Sequence, residues 1–403
     1  MANNRLISWV RDERYAWALG VLVVFLATRL LVLAAGYMGD LALTEPLGGG
    51  YWWPNRDNLF QDIWARWDSG FYTSIAHSGY TFEGSQAESL AFFPLYPLLI
   101  AFFEPLFGSA LLSGIVVSNV SLLGAMLFLY LLTDLEFGDR DTAMRAVLVM
   151  VLFPTAFFLS AVYTESTFLL FVIGSIYFAR RRLWAWAALM GVLASATRST
   201  GIMMWGVVGL EWMRANGWTF DRIHTQAAWR ALGRALRVDF LTVLVICLIP
   251  LGLGSYILLQ HDYADSPLKF MEVQENWGRG ERGPLEALNE DLKQIRLPAL
   301  RRGEVSSQVL INFVFFWPPF FLVPFIWRRM GASYGLYSLL TLTIPVSTGI
   351  TMSISRYALV MFPMFMLLAH WMRHRWVATA VLVTFSIFLG ILFTIFANWV
   401  FVA

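Results

Sequence analysis

Sixteen consecutive residues, Ala65-Arg66-Trp67-Asp68-Ser69-Gly70-Phe71-Tyr72-Thr73-Ser74-Ile75-Ala76-His77-Ser78-Gly79-Tyr80, crowd acid, base, aromatic and glycine side chains into one polar segment between long apolar runs. Asp68 is the residue there best suited to chemistry. A carboxylate at a membrane interface can take the proton of a hydroxyl on a substrate whose headgroup rests in the same layer. Leu59, Ile63, Trp67, Phe71 and Ile75 recur every fourth residue. That spacing predicts one helix over 59–77 lying on the membrane, with Asp68 beside its apolar face. A surface or capping aspartate next to an anchoring tryptophan satisfies the same spacing. Arg66 and His77 share the predicted helix, and either could hold a phosphate. The competing readings are a snorkelling interfacial cation for Arg66 and a satisfied structural histidine for His77. Asp40 and Asp62 are alternatives for the base.

Other candidates stand at junctions between apolar runs. Glu165, in Tyr163-Thr164-Glu165-Ser166, is costly at such a place unless it is paired or wet. Tyr163 and Glu165 could bind sugar hydroxyls, or Glu165 could hold an arginine. The alternative is a helix start capped by Thr164 and Ser166. Arg198 follows Ala196-Thr197, and Arg356 sits in Ser353-Ile354-Ser355-Arg356-Tyr357. Guanidinium forks match phosphate oxygens in shape and charge, so both are candidates for a phosphate clamp; an ion pair with Glu165 or a loop acid is the rival role. Trp67 and Trp277 are candidate substrate contacts, Trp277 offering a face to a sugar ring, and Arg279 adds a further phosphate contact. Asp139-Arg140-Asp141 imitates an acidic pair that holds a metal–nucleotide, but no glycine-rich phosphate cradle lies nearby, so it reads as solvated charge. The histidines show no metal-ligand spacing.

Composition sets the stage for these residues. Hydrophobic residues make up 58% of the 403 and charged residues 14%, well under the charge of a soluble chain. Apolar runs of membrane-crossing length recur from end to end. The chain therefore reads as an all-α polytopic membrane protein with about eleven transmembrane helices, in a single domain over 1–403, with no internal repeat. The spans fall near 15–36, 109–133, 146–162, 164–180, 183–197, 200–214, 238–259, 308–328, 333–350, 356–372 and 376–400. Arg5, Arg11 and Arg14 place the N-terminus in the cytoplasm. The first extracytoplasmic loop, 37–107, holds the amphipathic helix and the acids Asp40, Glu45, Asp57, Asp62, Asp68, Glu83 and Glu88. It ends in a proline-broken piece, 91–107, read as re-entrant. A second loop, 260–307, lies on the same outer side. Arginine-rich connections at 180–182, 214–237, 327–329 and 373–375 then fall inside. Net charge is +2 and no nucleotide-binding fingerprint is present, so a nucleic-acid partner is not expected. The arginine bias over Lys269 and Lys293 suggests a GC-rich prokaryotic genome, hence a cell-membrane location. The lone Cys247 permits no internal disulfide.

The ordered set Arg66-Trp67-Asp68-Ser69-Gly70 with Ile75-Ala76 and Gly79-Tyr80, Phe92-Phe93-Pro94-Leu95-Tyr96-Pro97-Leu98, Tyr163-Thr164-Glu165-Ser166, Ala196-Thr197-Arg198, 270–279, and Ser355-Arg356-Tyr357 with Phe362-Pro363 resembles the GPI mannosyltransferase II (PIG-V) family and its prokaryotic relatives. These belong to the GT-C membrane glycosyltransferases. The resemblance implies a GT-C-type fold with two large extracytoplasmic loops and an active site on that face. It implies a polyprenyl-phosphate-mannose donor, inversion at the sugar's anomeric carbon, no nucleotide sugar and no cofactor or required metal. Asp68 is the residue that corresponds to the family's essential acid, and Arg356 to a phosphate contact. A lipid, glycan or protein acceptor is expected, with membrane lipids around it. The rival class is a transporter or lipid flippase, which would carry paired charges near the bilayer midplane; a scaffold for another transferase is the third reading.

Overall fold

The computed structural model describes residues 13–43, 58–82, 84–264, 266–280 and 283–402. Arg5, Arg11, Glu45, Asp57 and Glu83, used above for topology and loop charge, lie outside the described residues. What is described folds as helices, turns and loops with no strand, an all-α polytopic membrane protein.

Helix α1 (Glu13–Ala42) is 30 residues long and leaves Leu22, Val23, Leu26, Leu30 and Leu31 exposed. Such a face is stable against lipid and costly in water. The predicted interfacial helix over 59–77 is instead two pieces, α2 (Leu59–Asp62) and α3 (Ser69–Ser78). Ile63, Trp64, Ala65 and Arg66 between them are buried. The period-four pattern failed because Arg66 is drawn inward and the Trp64 carbonyl accepts from the Val162 amide at 3.1 Å. Helix α4 (Leu95–Phe107) has 13 residues and stops at left-handed Gly108, short of the ~20 residues a straight span needs. Ser109 then caps α5 (Ala110–Phe137), which runs back against α4.

After α6 (Arg140–Leu152) the backbone unwinds through 153–164, where the sequence predicted a span continuing to 162. Pro154 removes a helical donor and biases Phe153 away from helix. Irregular backbone inside a membrane protein must find partners within the protein. Arg29 of α1 supplies them, donating to the carbonyls of Val151 and Ala156 and to Ser160 Oγ at 3.1–3.3 Å. Helices α7 (Glu165–Arg180), α8 (Trp184–Thr197) and α9 (Met203–Ala215) follow as a packed set. The amphipathic α10 (Gln226–Val238) leads into α11 (Phe240–Ile246) and α12 (Leu251–Tyr263), which meet at a 48° bend next to Pro250. The second loop carries α13 (Lys269–Glu272), α14 (Pro284–Gln294) and α15 (Leu297–Arg302).

The chain closes with α16 (Ser307–Met330), α17 (Ala332–Val346), α18 (Ile354–Val360), α19 (Phe362–Trp371) and α20 (Arg375–Ala397), with α18 and α19 bent by 64°. Helices stand at every predicted span position. Among the described residues four are long and apolar enough to cross a membrane, and the two bent pairs raise that to six. The remaining predicted positions hold shorter helices among the described residues.

The bundle has two distinct ends. Glu165 opens α7 and Arg180 closes it, about 24 Å apart for 16 residues at 1.5 Å each. At the Arg180 end, Arg180 pairs with Glu136 (2.8 Å) and Glu211 (3.5 Å), and Arg214 also pairs with Glu211 (3.0 Å). The arginines closing α7, α9 and α16 gather there. Asp139 simply caps α6, accepting from Asp141 N and Thr142 Oγ1. The candidate site occupies the Glu165 end.

Candidate active site

At the Glu165 end a cavity of about 490 Å³ opens between the first loop, the second loop and the starts and ends of α3, α8 and α18. Asp68 is the one carboxylate among the described residues of its wall. Its placement begins with Arg66, which is fully buried and points away from the cavity. Arg66 Nη2 pairs with Asp62 at 2.8 Å and Asp40 at 3.8 Å, its Nε donates to the Ala397 carbonyl at 2.9 Å, and its guanidinium lies 4.8 Å from the Trp399 ring. With Arg66 pinned inward, Trp67 takes a left-handed φ of 55° and the chain turns Asp68 outward to start α3. The Asp68 side chain makes no cap hydrogen bond. It receives Arg356 Nη1 at 2.5 Å and is about a quarter exposed.

Arg356 comes from the first turn of α18, itself begun by Ser353 at a left-handed φ of 68°. It is shared: Nε donates to Glu165 Oε1 at 2.6 Å while Nη1 holds Asp68. Its guanidinium lies 4.5 Å from the ring of Tyr163, whose hydroxyl donates to the Arg66 carbonyl at 2.8 Å. Arg198, at the C-terminal end of α8, donates to the same Glu165 oxygen at 3.1 Å and lies 4.8 Å from the Tyr357 ring. Glu165 is fully buried and its Oε2 has no hydrogen-bond partner among the described residues. It therefore acts as the anion that allows two guanidinium groups to stand side by side; without it their mutual repulsion would be uncompensated in a poorly solvated place.

The opposite wall is aromatic and comes from the loops. Phe71 stacks on Phe92 at 4.5 Å, and Trp277 meets both edge-on at 6.3 Å. Arg279 donates to Thr348 Oγ1 at 3.2 Å and has no carboxylate partner among the described residues. Cavity and inner layer thus hold three cations, Arg198, Arg279 and Arg356, against two carboxylates, Asp68 and Glu165. The balance favours a bound anion. Among the described residues no group of three or more His, Cys, Asp or Glu side chains converges as a metal site.

The comparisons with known proteins bear on this geometry. A family model described as Mannosyltransferase (PIG-V) matches residues 14–264. The chain belongs to the mannosyltransferase (PIG-V) family. It is 29% identical over 215 residues to GPI mannosyltransferase 2 of Schizosaccharomyces pombe, covering 50% of this chain and 45% of that one. It is 30% identical over 235 residues to the protein of that name from Chaetomium globosum, covering 49% of each. The matched stretches span about half the length of these relatives. Among solved structures, ArnT from Cupriavidus metallidurans bound to undecaprenyl phosphate aligns with a TM-score of 0.51 at 15% identity, over 88% of this chain and 60% of that chain. That likeness gives this mannosyltransferase-family chain a fold of the GT-C type.

In this PIG-V-family chain the predicted residues divide into three groups. Asp68, Trp67, Arg198, Arg279, Arg356 and Trp277 line the cavity. Glu165 and Tyr163 lie directly behind it. Arg66, Asp40, Asp62 and His77 stand apart. The first three form the buried cluster described above, and His77 is mostly exposed, with Nδ1 3.1 Å from Glu104 Oε1. Neither Arg66 nor His77 is placed to reach an anion in the cavity, and neither alternative base lines it. Sequence reasoning missed Tyr357, Gln274, Tyr72 and Ser353, all on the wall. Tyr357 had a signal in standing next to Arg356. Gln274 and Tyr72 had none, because only the folding of both loops brings them inward.

Proposed function

We propose that the chain transfers mannose from a polyprenyl-phosphate-mannose donor to a hydroxyl of an extracytoplasmic lipid, glycan or protein acceptor, with inversion at the anomeric carbon and Asp68 as general base. The observation that carries this reading is the Asp68–Arg356 pair on the wall of a cationic, aromatic-sided cavity. In the reaction the acceptor oxygen forms a bond to the anomeric carbon as the bond from that carbon to the phosphate oxygen breaks. The hydroxyl proton passes to Asp68 and the bonding electron pair leaves with the phosphate. A phosphate leaves as a stable anion, so no general acid is required. Arg356, Arg198 and Arg279 stabilise the charge that grows on it. The aromatic wall of Phe71, Phe92 and Trp277 suits the sugar. The arginines gathered at the opposite end support reading the cavity-bearing end as the outer one.

Arg356 is shared between base and leaving group in this scheme. Before the donor binds, its Nη1 is committed to Asp68. A donor phosphate competes for that N–H and frees the carboxylate oxygen to accept the hydroxyl proton.

The test is transfer from polyprenyl-phosphate mannose in nanodiscs. Asp68→Asn is expected to lower turnover about a thousandfold, in the range of general-base catalysis, with donor affinity retained. Arg356→Ala is expected to weaken donor capture. Near-normal turnover in Asp68→Asn refutes the assigned base, and movement of lipid across liposomes without sugar transfer would favour a flippase instead.

A further inference from the structure

The opposite end of the bundle holds a second cavity, of about 320 Å³, that the transfer reaction does not use. Its wall includes Arg214, Arg328, Trp218, Phe220, Trp327 and the single acid Asp221. Arg214 is already engaged by Glu211, at 3.0 Å through both Nε and Nη2. Arg328 is exposed and has no carboxylate partner among the described residues. Trp218 is 5% exposed and its indole N–H is buried with no acceptor among the described residues. Rings run along one side, Trp229 to Trp218 at 5.7 Å, Trp218 to Phe220 at 5.2 Å and Phe220 to Trp327 at 5.3 Å. Such rings are the residues proteins place at the headgroup level of a bilayer.

Beside the cavity lies α10. Ala228 and Leu232 pack inward, whereas Trp229, Leu236 and Val238 are exposed and continue into exposed Phe240 and Leu241 of α11. Arg230, Arg234 and Arg237 project from the same helix, with Arg222 just before it. An exposed apolar stripe edged by arginines is the arrangement of a helix lying in the interface plane. Basic pockets between transmembrane helices select anionic headgroups.

We propose that this cavity binds the phosphate of an anionic phospholipid, with Arg328 as its free cation, Arg214 as the second, and α10 seated in the adjoining headgroup layer. The apolar stripe decides for a lipid over a soluble phosphate. Exposed Trp229, Leu236, Val238, Phe240 and Leu241 bring the acyl layer to the mouth of the cavity, where a lipid phosphate arrives with its chains already seated. Asp221 sets a limit on affinity by repelling the same phosphate.

The experiment is native mass spectrometry of the full chain in detergent, titrated with phosphatidylglycerol or phosphatidylcholine of matched chains. Selective retention of phosphatidylglycerol is expected. Arg328→Gln should lower that retention about fivefold, the worth of one arginine near an anionic surface, with phosphatidylcholine unchanged. Arg328→Lys should restore it, and Asp221→Asn should increase it. Equal retention of the two lipids, or no effect of Arg328→Gln, overturns the proposal. Displacement of phosphatidylglycerol by inorganic phosphate also overturns it, because the site would then belong to a soluble anion. Arg328 and Asp221 lie remote from the candidate active site, so catalytic failure and failure of this site are separable.

Discussion

Asp68 and Glu165 share one arginine but stand in different surroundings. Glu165 is fully buried and binds two guanidinium groups, whereas Asp68 is partly open to the cavity. Neutralising a buried partner strands the charges it held, at a cost of about 3–5 kcal/mol, while a partly solvated pair contributes about 1 kcal/mol or less. Glu165→Gln is therefore expected to lower the unfolding midpoint in detergent markedly, and Asp68→Asn to leave it nearly unchanged while removing turnover. Equal midpoints for the two variants would show that Glu165 does not hold the clamp together. The sequence put Asp68 ahead of Asp40 and Asp62 as the base but did not show which of the three faces a cavity. Asp62 was lost to Arg66 through a local i, i+4 pair, and Asp40 through a contact from the end of α1 that has no local signature.

At the scale of elements, the site depends on two left-handed turns at residues other than glycine, Trp67 before α3 and Ser353 before α18. Such φ values cost most L residues on the order of 1–2 kcal/mol and glycine little. Ser353→Gly is expected to keep donor affinity. Ser353→Val, whose branched side chain resists this conformation, is expected to weaken donor capture by misplacing Arg356. The second loop is held by a different contact. Thr351 donates to Asp291 of α14 at 2.7 Å and receives Asn312 Nδ2 at 2.7 Å, two residues before Ser353. Burial raises the proton affinity of Asp291 above its ordinary value of 3.8, against the hydrogen bonds from Thr351 and Asn312. The protonated form therefore contributes stability that is present at acid pH and is lost as pH rises through the folded value, above 3.8. Asp291→Asn keeps an acceptor for Thr351. It is expected to melt no lower than wild type at pH 7 and to lose the wild type's gain on acidification; an unchanged pH profile would exclude Asp291 as its source.

Across the whole molecule, Arg198 reaches the cavity only because α8 packs closely on its neighbours. A Cβ on Gly252 of α12 would fall 2.1 Å from Ser195 Oγ and 2.2 Å from the Val192 carbonyl. Gly252→Ala must push the two helices apart, an overpacking cost of about 1–3 kcal/mol. Because Arg198 ends the displaced helix, donor affinity is expected to fall together with the thermal midpoint. Retained affinity at a lowered midpoint would remove Arg198 from the clamp. The two ends of the bundle divide the charge: a shared anion–cation clamp at one, an arginine-rich girdle with its own cavity at the other.

The residues alone determined the solvent of this chain and its chemistry-bearing types. Apolar runs of bilayer length admit no other environment. Asp68, Glu165, Arg198 and Arg356 were visible as charges at junctions where charge needs a reason. Which of them meet was decided by tertiary structure. Arg66 looked like a phosphate ligand and became a buried anchor, and a helix read from a four-residue period broke where the Trp64 carbonyl found Val162. Periodicity reports which face is apolar. It carries no record of a distant carboxylate or amide, and in a medium without water those distant partners decide where each polar group goes.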